Sequence, residues 1–141
     1  MIVVHKLSVK QWEDLAEKAH GVVFNESRPA HFDRVDFALV AVDDDQKLMI
    51  GYTTMREISH DTIYWQYGGS FPEYRGTPIA AKGYALFIQW CKEHGYKRIT
   101  TLIENNNKAM LKLAAFNDFI IVGVRNFKGK VLLEHGLEFT E

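Results

Sequence analysis

The stretch Phe71-Pro72-Glu73-Tyr74-Arg75-Gly76-Thr77-Pro78-Ile79-Ala80 has residue types and spacing that could hold an anion. An aromatic, β-rich run from Thr62 to Tyr67 precedes it, and an amphipathic helical run from Ile79 to His94 follows. A strand, a tight Arg-Gly turn and a helix start place backbone N–H groups and a positive dipole end at one point, which suits phosphate oxygens. The Arg75 guanidinium could pair bidentately with them, and Gly76 would let the chain turn close to a ligand. Thr77 reads as an N-cap with Pro78 at the first helical position. Proline has no N–H, so Thr77, Ile79, Ala80 and Ala81 must supply the remaining contacts, with Lys82 nearby.

That order resembles the acyl-CoA pyrophosphate loop of the GNAT N-acetyltransferase superfamily, whose pattern is Arg/Gln-x-x-Gly-x-Gly/Ala. Arg75 and Ala80 match its ends, and Pro78 stands at the middle glycine. The stretch Asn107 to Phe119 resembles the later motif of the same family, an Asn that opens a helix ending in Gly-Phe. Asp118 replaces the glycine, and Asp adopts the left-handed conformation such an end requires. The resemblance covers Val35 to the C-terminus well and the first third loosely. It implies acetyl-CoA as acyl donor, without a metal, and a primary amine as acceptor. It places Arg75, Gly76, Thr77, Ile79, Ala80 and Ala81 at the pyrophosphate. Gly69, Ser70 and Phe71 would line one side of a pantetheine gap and Thr101 to Ile103 the other. Asn107 either caps its helix or contacts CoA, and the two roles are compatible.

Acetyl transfer needs a base for the amine and an acid for the leaving thiolate. Glu104, at the end of a strand, and Glu57, late in a hairpin arm, are the base candidates. The family's tyrosine acid aligns with Ala114, so the proton comes from solvent or another residue, with Tyr64 and Tyr74 as candidates. Pro78 and Ala114 keep two other readings open: a non-catalytic protein of this fold that binds CoA or another ligand, and an interaction module without cofactor. The aromatics Tyr52, Tyr64, Trp65 and Tyr67 belong mostly to a core, or to a substrate pocket or homodimer surface.

The chain has 141 residues, 47% of them hydrophobic, and a formal net charge of -1. That length fits one domain, residues 1–141, and that charge gives no field for nucleic acid. Cys91 is the single cysteine, which excludes an internal disulfide. The six histidines lack metal-ligand spacing. No apolar run approaches a membrane span of ~20 residues, so the expected location is cytoplasmic, with no membrane partner.

The elements that must position these residues follow from pattern and caps. Ile2 to Leu7 reads as a strand, and Ser8 with Gln11 as a capping box opening a helix whose face is Trp12, Leu15, Ala16 and Ala19, closed by Gly21. Val22 to Asp36, holding Asn25, Ser27, Arg28 and His31, reads as a loop with a short helix. Phe37 to Val42 and Leu48 to Ile58 form a hairpin, and Thr62 to Ser70 a third strand, whose Gly68-Gly69 points to a bulge or a close backbone approach. The next helix presents Ile79, Gly83, Leu86, Phe87, Trp90 and Cys91 to the sheet and ends at Gly95. Arg98 to Ile103, the Asn107 helix, Ile120 to Val124 and Val131 to Phe139 complete the chain. The resemblance implies a GNAT-like α/β (α+β) fold, a mixed, largely antiparallel sheet of six or seven strands flanked by about four helices.

Overall fold

The computed structural model describes residues 1–15 and 34–139. Its strands are β1 (Ile2–Ser8), β2 (Phe37–Asp43), β3 (Leu48–Glu57), β4 (Thr62–Ser70), β5 (Arg98–Glu104), β6 (Ile120–Phe127) and β7 (Lys130–Glu138). The helices are α1, helical over residues 9–15, α2 (Pro78–Glu93) and α3 (Lys108–Phe116), with a single 3-10 turn at Pro72–Tyr74. The described residues thus carry three helices, where about four were expected; the expected loop from Val22, along with Ala16, Ala19 and Gly21, lies almost wholly outside them.

The local signals act as their chemistry requires. The Ser8 N–H donates to Gln11 Oε1 at 2.8 Å and the Gln11 N–H to Ser8 Oγ at 3.2 Å, a reciprocal capping box. Thr77 Oγ1 accepts from the Ala80 N–H and Asn107 Oδ1 from the Met110 N–H. Asp118 holds φ 69°, so α3 ends in the left-handed turn expected of it. Between β6 and β7, Lys128 and Gly129 both have positive φ, as a tight hairpin needs.

All seven strands form one sheet in the order β1-β2-β3-β4-β5-β7-β6. Every neighbour pair is antiparallel except β4 with β5. That parallel pair needs a crossover, which α2 supplies. One face, with Leu39, Met55, Ile63, Trp65, Ile99 and Ile103, packs against Phe87 and Cys91 of α2 and Ala114 of α3. The other has its own cluster of Trp12, Val35, Ala38, Val40 and Tyr52. The helix stripes are narrower than their periodicity implied. Leu15 and Ile79 are exposed, while Tyr84, outside the expected stripe, is buried with Gly83, Phe87 and Cys91.

Candidate active site

The site is built by the ending of one ladder. β4 and β5 pair from Thr62 with Arg98 to Trp65 with Thr101, and there the pairing stops. The Thr101 hydroxyl donates to the Trp65 carbonyl at 3.1 Å and pins the last pair. Beyond it, Gln66 to Ser70 on β4 and Leu102 to Glu104 on β5 run on without pairing each other, so the two strands enclose a gap with unmatched backbone edges.

A bulge helps open the gap. Between Met55 with Trp65 and Thr53 with Gly68, β4 has one residue more than β3. The buried Thr54 takes up the excess, its hydroxyl accepting from the Tyr67 N–H at 3.0 Å and donating to the Tyr67 carbonyl at 3.3 Å. The bulge therefore lies at Gln66 and Tyr67, just before the Gly68-Gly69 pair. A Cβ on Gly68 would stand 2.6 Å from the Tyr52 carbonyl oxygen. Gly68 is thus fixed by the close approach of β3.

At the mouth of the gap, the Phe71 N–H donates to the Ile50 carbonyl at 2.8 Å, and its side chain packs on the Trp12 cluster. Backbone alternation then turns Ser70 toward the gap. The Ser70 carbonyl accepts from Arg75 Nε at 3.2 Å, which brings the arginine back over the end of β4. Gly76, at φ 71°, makes the turn. Thr77 donates from its hydroxyl to the Tyr74 carbonyl at 2.6 Å, and its own carbonyl accepts from the Ala81 N–H. With Pro78 lacking a donor and Ala80 engaged by Thr77, the Ile79 N–H is the helix-start donor with no intrahelical acceptor. Arg75, Gly76, Thr77, Ile79, Ala80 and Ala81 are therefore contiguous around one helix start.

Glu104 ends β5 on the opposite rim, with Lys130 Nζ at 3.3 Å. Its carbonyl accepts from the Asn107 N–H at 2.9 Å, which sets Asn107 on the same rim. Glu57 lies elsewhere. It ends β3 beside Ile63, at the end of the ladder remote from the gap, and accepts from the Tyr96 hydroxyl. Tyr74 is half-buried against the α2 side. Tyr64 is paired with Arg56 and Thr100, one residue before the ladder ends, on the face opposite α2 and α3. Burial raises its pKa, and Arg125 and Arg56 oppose that rise.

Strand alternation places Gln66, Leu102 and Glu104 on the face of Tyr64, with Glu134 beside Leu102. Arg125 binds Glu134. Gln66 Oε1 and Arg56 Nε are buried without a hydrogen-bond partner. The Tyr84 hydroxyl is likewise buried and unpartnered, on the α2 side, its ring edge-on to Trp65 at 5.3 Å. Sequence reasoning missed Arg56, Gln66 and Glu134, because strand register alone brings them to one face of the sheet beside the end of the β4–β5 ladder. Among the described residues no group of three or more His, Cys, Asp or Glu stands ready for a metal, and no helix is long and apolar enough to cross a membrane.

Residues 4–119 match the model of the acetyltransferase (GNAT) family. Solved structures share the fold over nearly the whole chain. The ribosomal-protein-S18-alanine N-acetyltransferase from Escherichia coli superposes with a TM-score of 0.78 at 11% identity, over 100% of this chain and 96% of that one. A chain of the NatC complex bound to Gag peptide and CoA gives 0.75 at 20% identity, over 99% of both chains. The spermidine/spermine N-acetyltransferase SpeG from Vibrio cholerae gives 0.74 at 14% identity, over 98% of this chain and 95% of that one. No curated protein sequence matches the chain.

Proposed function

Because the chain belongs to the GNAT acetyltransferase family, we propose that it moves an acetyl group from acetyl-CoA to a primary amine in the gap between β4 and β5. The observation that carries this reading is the loss of β4–β5 pairing after Trp65 and Thr101. Unmatched backbone edges there fit an extended amide-bearing arm, and the helix start beside Arg75 fits its phosphates. Acetyl-CoA supplies the activated acetyl thioester.

The chain's own residues do the rest. Arg75 and the N–H donors of Gly76 and Ile79 hold the phosphate end, and Ser70 and Leu102 present backbone to the arm. Asn107 fixes the opposite rim. Glu104 takes the amine proton through a water, because it stands at the gap while Glu57 does not. Held on strands, these groups supply mainly position. Ala114 carries no acidic proton, so the thiolate proton comes from solvent.

Calorimetric titration with acetyl-CoA tests the grip. Arg75→Ala should weaken binding by about 1.5–3 kcal/mol, the scale of a charge-assisted hydrogen bond. Free-thiol release across an amine panel tests transfer. Binding without turnover on any amine would favour a ligand-binding protein of this fold. Absence of binding would leave an interaction module and end the enzyme reading.

A further inference from the structure

The face of the sheet opposite α2 and α3 carries an uneven set of charges around the point where β4 and β5 part. Glu134 is bound by Arg125, Glu104 faces Lys130 at 3.3 Å, and Glu138 lies 3.9 Å from Arg98. Asp36 adjoins Arg56 across the β2–β3 edge, yet its oxygens accept from Arg34 and, at 2.7 Å, from the Glu57 N–H. Each of these carboxylates thus has its own ion-pair or N–H partner. Arg56 is half-buried, its Nε is sealed from solvent, and among the described residues no hydrogen bond or ion pair reaches it. A guanidinium nitrogen sealed from solvent without an acceptor is costly, and it is a ready partner for an anion that arrives.

A second unmatched group lies close by. Gln66 Oε1 is a buried acceptor without a donor, at the bulge that opens the gap. Arg56 pairs with Tyr64, and Gln66 is two residues further along β4 on the same face. The amino and carboxylate groups of one small molecule could reach both. On the acetyl-transfer reading above, we propose that the acceptor is a free α-amino acid, with its carboxylate on the Arg56 guanidinium and its amino group at Gln66, facing the gap. The Tyr64 hydroxyl stands beside the carboxylate as a further donor.

In the transfer, the amine nitrogen bonds to the acetyl carbon, the carbon–sulfur bond breaks, and CoA leaves as thiolate. The proton lost by nitrogen passes to Glu104 through water, and one from solvent completes the CoA thiol. No other reactant is needed.

The test compares proteinogenic amino acids, each with its own carboxamide, as acceptors with acetyl-CoA, read as kcat/KM by free-thiol release. Removing the carboxylate charge should lower kcat/KM roughly 10- to 100-fold. In Arg56→Met that acid-over-amide ratio should fall to within about threefold, and Arg56→Lys, which keeps charge but not the fork, should lie between. If Arg56→Met does not fold, the ratio in the native protein and in Arg56→Lys decides. Carboxamides or amino-terminal peptides turned over as well as free amino acids would overturn the proposal, as would an acid preference that survives Arg56→Met. If nothing is acetylated, the amino acids and carboxamides are titrated calorimetrically into the protein with CoA. Heat from the acid alone would uphold the carboxylate site while removing acetyl transfer, and no heat from either would overturn the site itself.

Discussion

Two alanine substitutions at glycines should move stability in opposite directions. At Gly68 an added Cβ would stand 2.6 Å from the Tyr52 carbonyl oxygen, 2.9 Å from Thr53 Cβ and 3.0 Å from Thr53 Cα. Ordinary carbon–oxygen contact is about 3.3 Å or more, so β3 and β4 must part by roughly 0.7 Å. The neighbouring atoms are mostly backbone and cannot swing aside. Overpacking of this kind costs about 1–3 kcal/mol, and the lower entropy of the unfolded chain returns about 0.5 kcal/mol. A net loss of about 1.5 kcal/mol remains. Unfolding entropy of roughly 2.1 cal/mol/K per residue, over 141 residues, converts this to a Tm lower by about 5 °C. At Gly83, inside α2, the added Cβ would meet Ala41 Cβ at 3.6 Å, an ordinary contact. Replacing a helical glycine should therefore raise stability by about 0.5–1 kcal/mol and Tm by about 2–3 °C. Both changes are read by thermal and urea unfolding. A Gly68→Ala protein as stable as the parent would refute the close approach of β3 to β4, and with it the geometry assigned to the bulge.

Pro78→Gly restores a donor at the phosphate end and loosens the chain, so acetyl-CoA binding by calorimetry should tighten while Tm falls slightly; weaker binding would mean that Pro78 belongs to a different self-consistent loop. Tyr84→Phe removes a buried hydroxyl without a partner, so urea unfolding should show unchanged or slightly higher stability. Burial pushes the Cys91 thiol up to about 12 and raises Tyr84 as well. The fold keeps protons that the unfolded chain loses, so stability is full below about pH 9 and falls as pH rises toward the folded values. Urea unfolding at about pH 8 and about pH 10.5 should differ by roughly 1–2 kcal/mol from Cys91 alone, and Cys91→Ala should flatten the slope.

What the sequence made legible was local. The Ser8–Gln11 box, the Thr77 and Asn107 caps, the Asp118 turn and the span Thr62 to Ser70 each depend on residues close in the chain, and the structure has them as read. The grouping of Ser70 with Arg75 was legible for the same reason, as five positions separate them. Arg56, Gln66 and Glu134 were not, because their proximity depends on the parallel register of β4 on β5 and on one extra residue at the bulge. Glu57 and Glu104 both end strands, and only the ladders tell that Glu104 borders the gap while Glu57 ends β3 beside Ile63, before the gap begins. The expected fourth helix had no periodic signal of its own.

The short parallel ladder between β4 and β5 also divides the molecule mechanically. On one side β1 to β4 form a continuous meander, and on the other β5, β7 and β6 form a three-stranded unit. The sheet joins them through the pairs from Thr62 with Arg98 to Trp65 with Thr101, and parallel pairing is slightly weaker per residue than the ladders around it. This join is the seam along which the sheet would tear first under load. A ligand lying between Gln66–Ser70 and Leu102–Glu104 would act as a missing strand and stitch the seam. Amide hydrogens of β5 should then exchange more slowly, and the rupture force in a pulling experiment across the two units should rise, by an amount tied to ligand concentration and affinity.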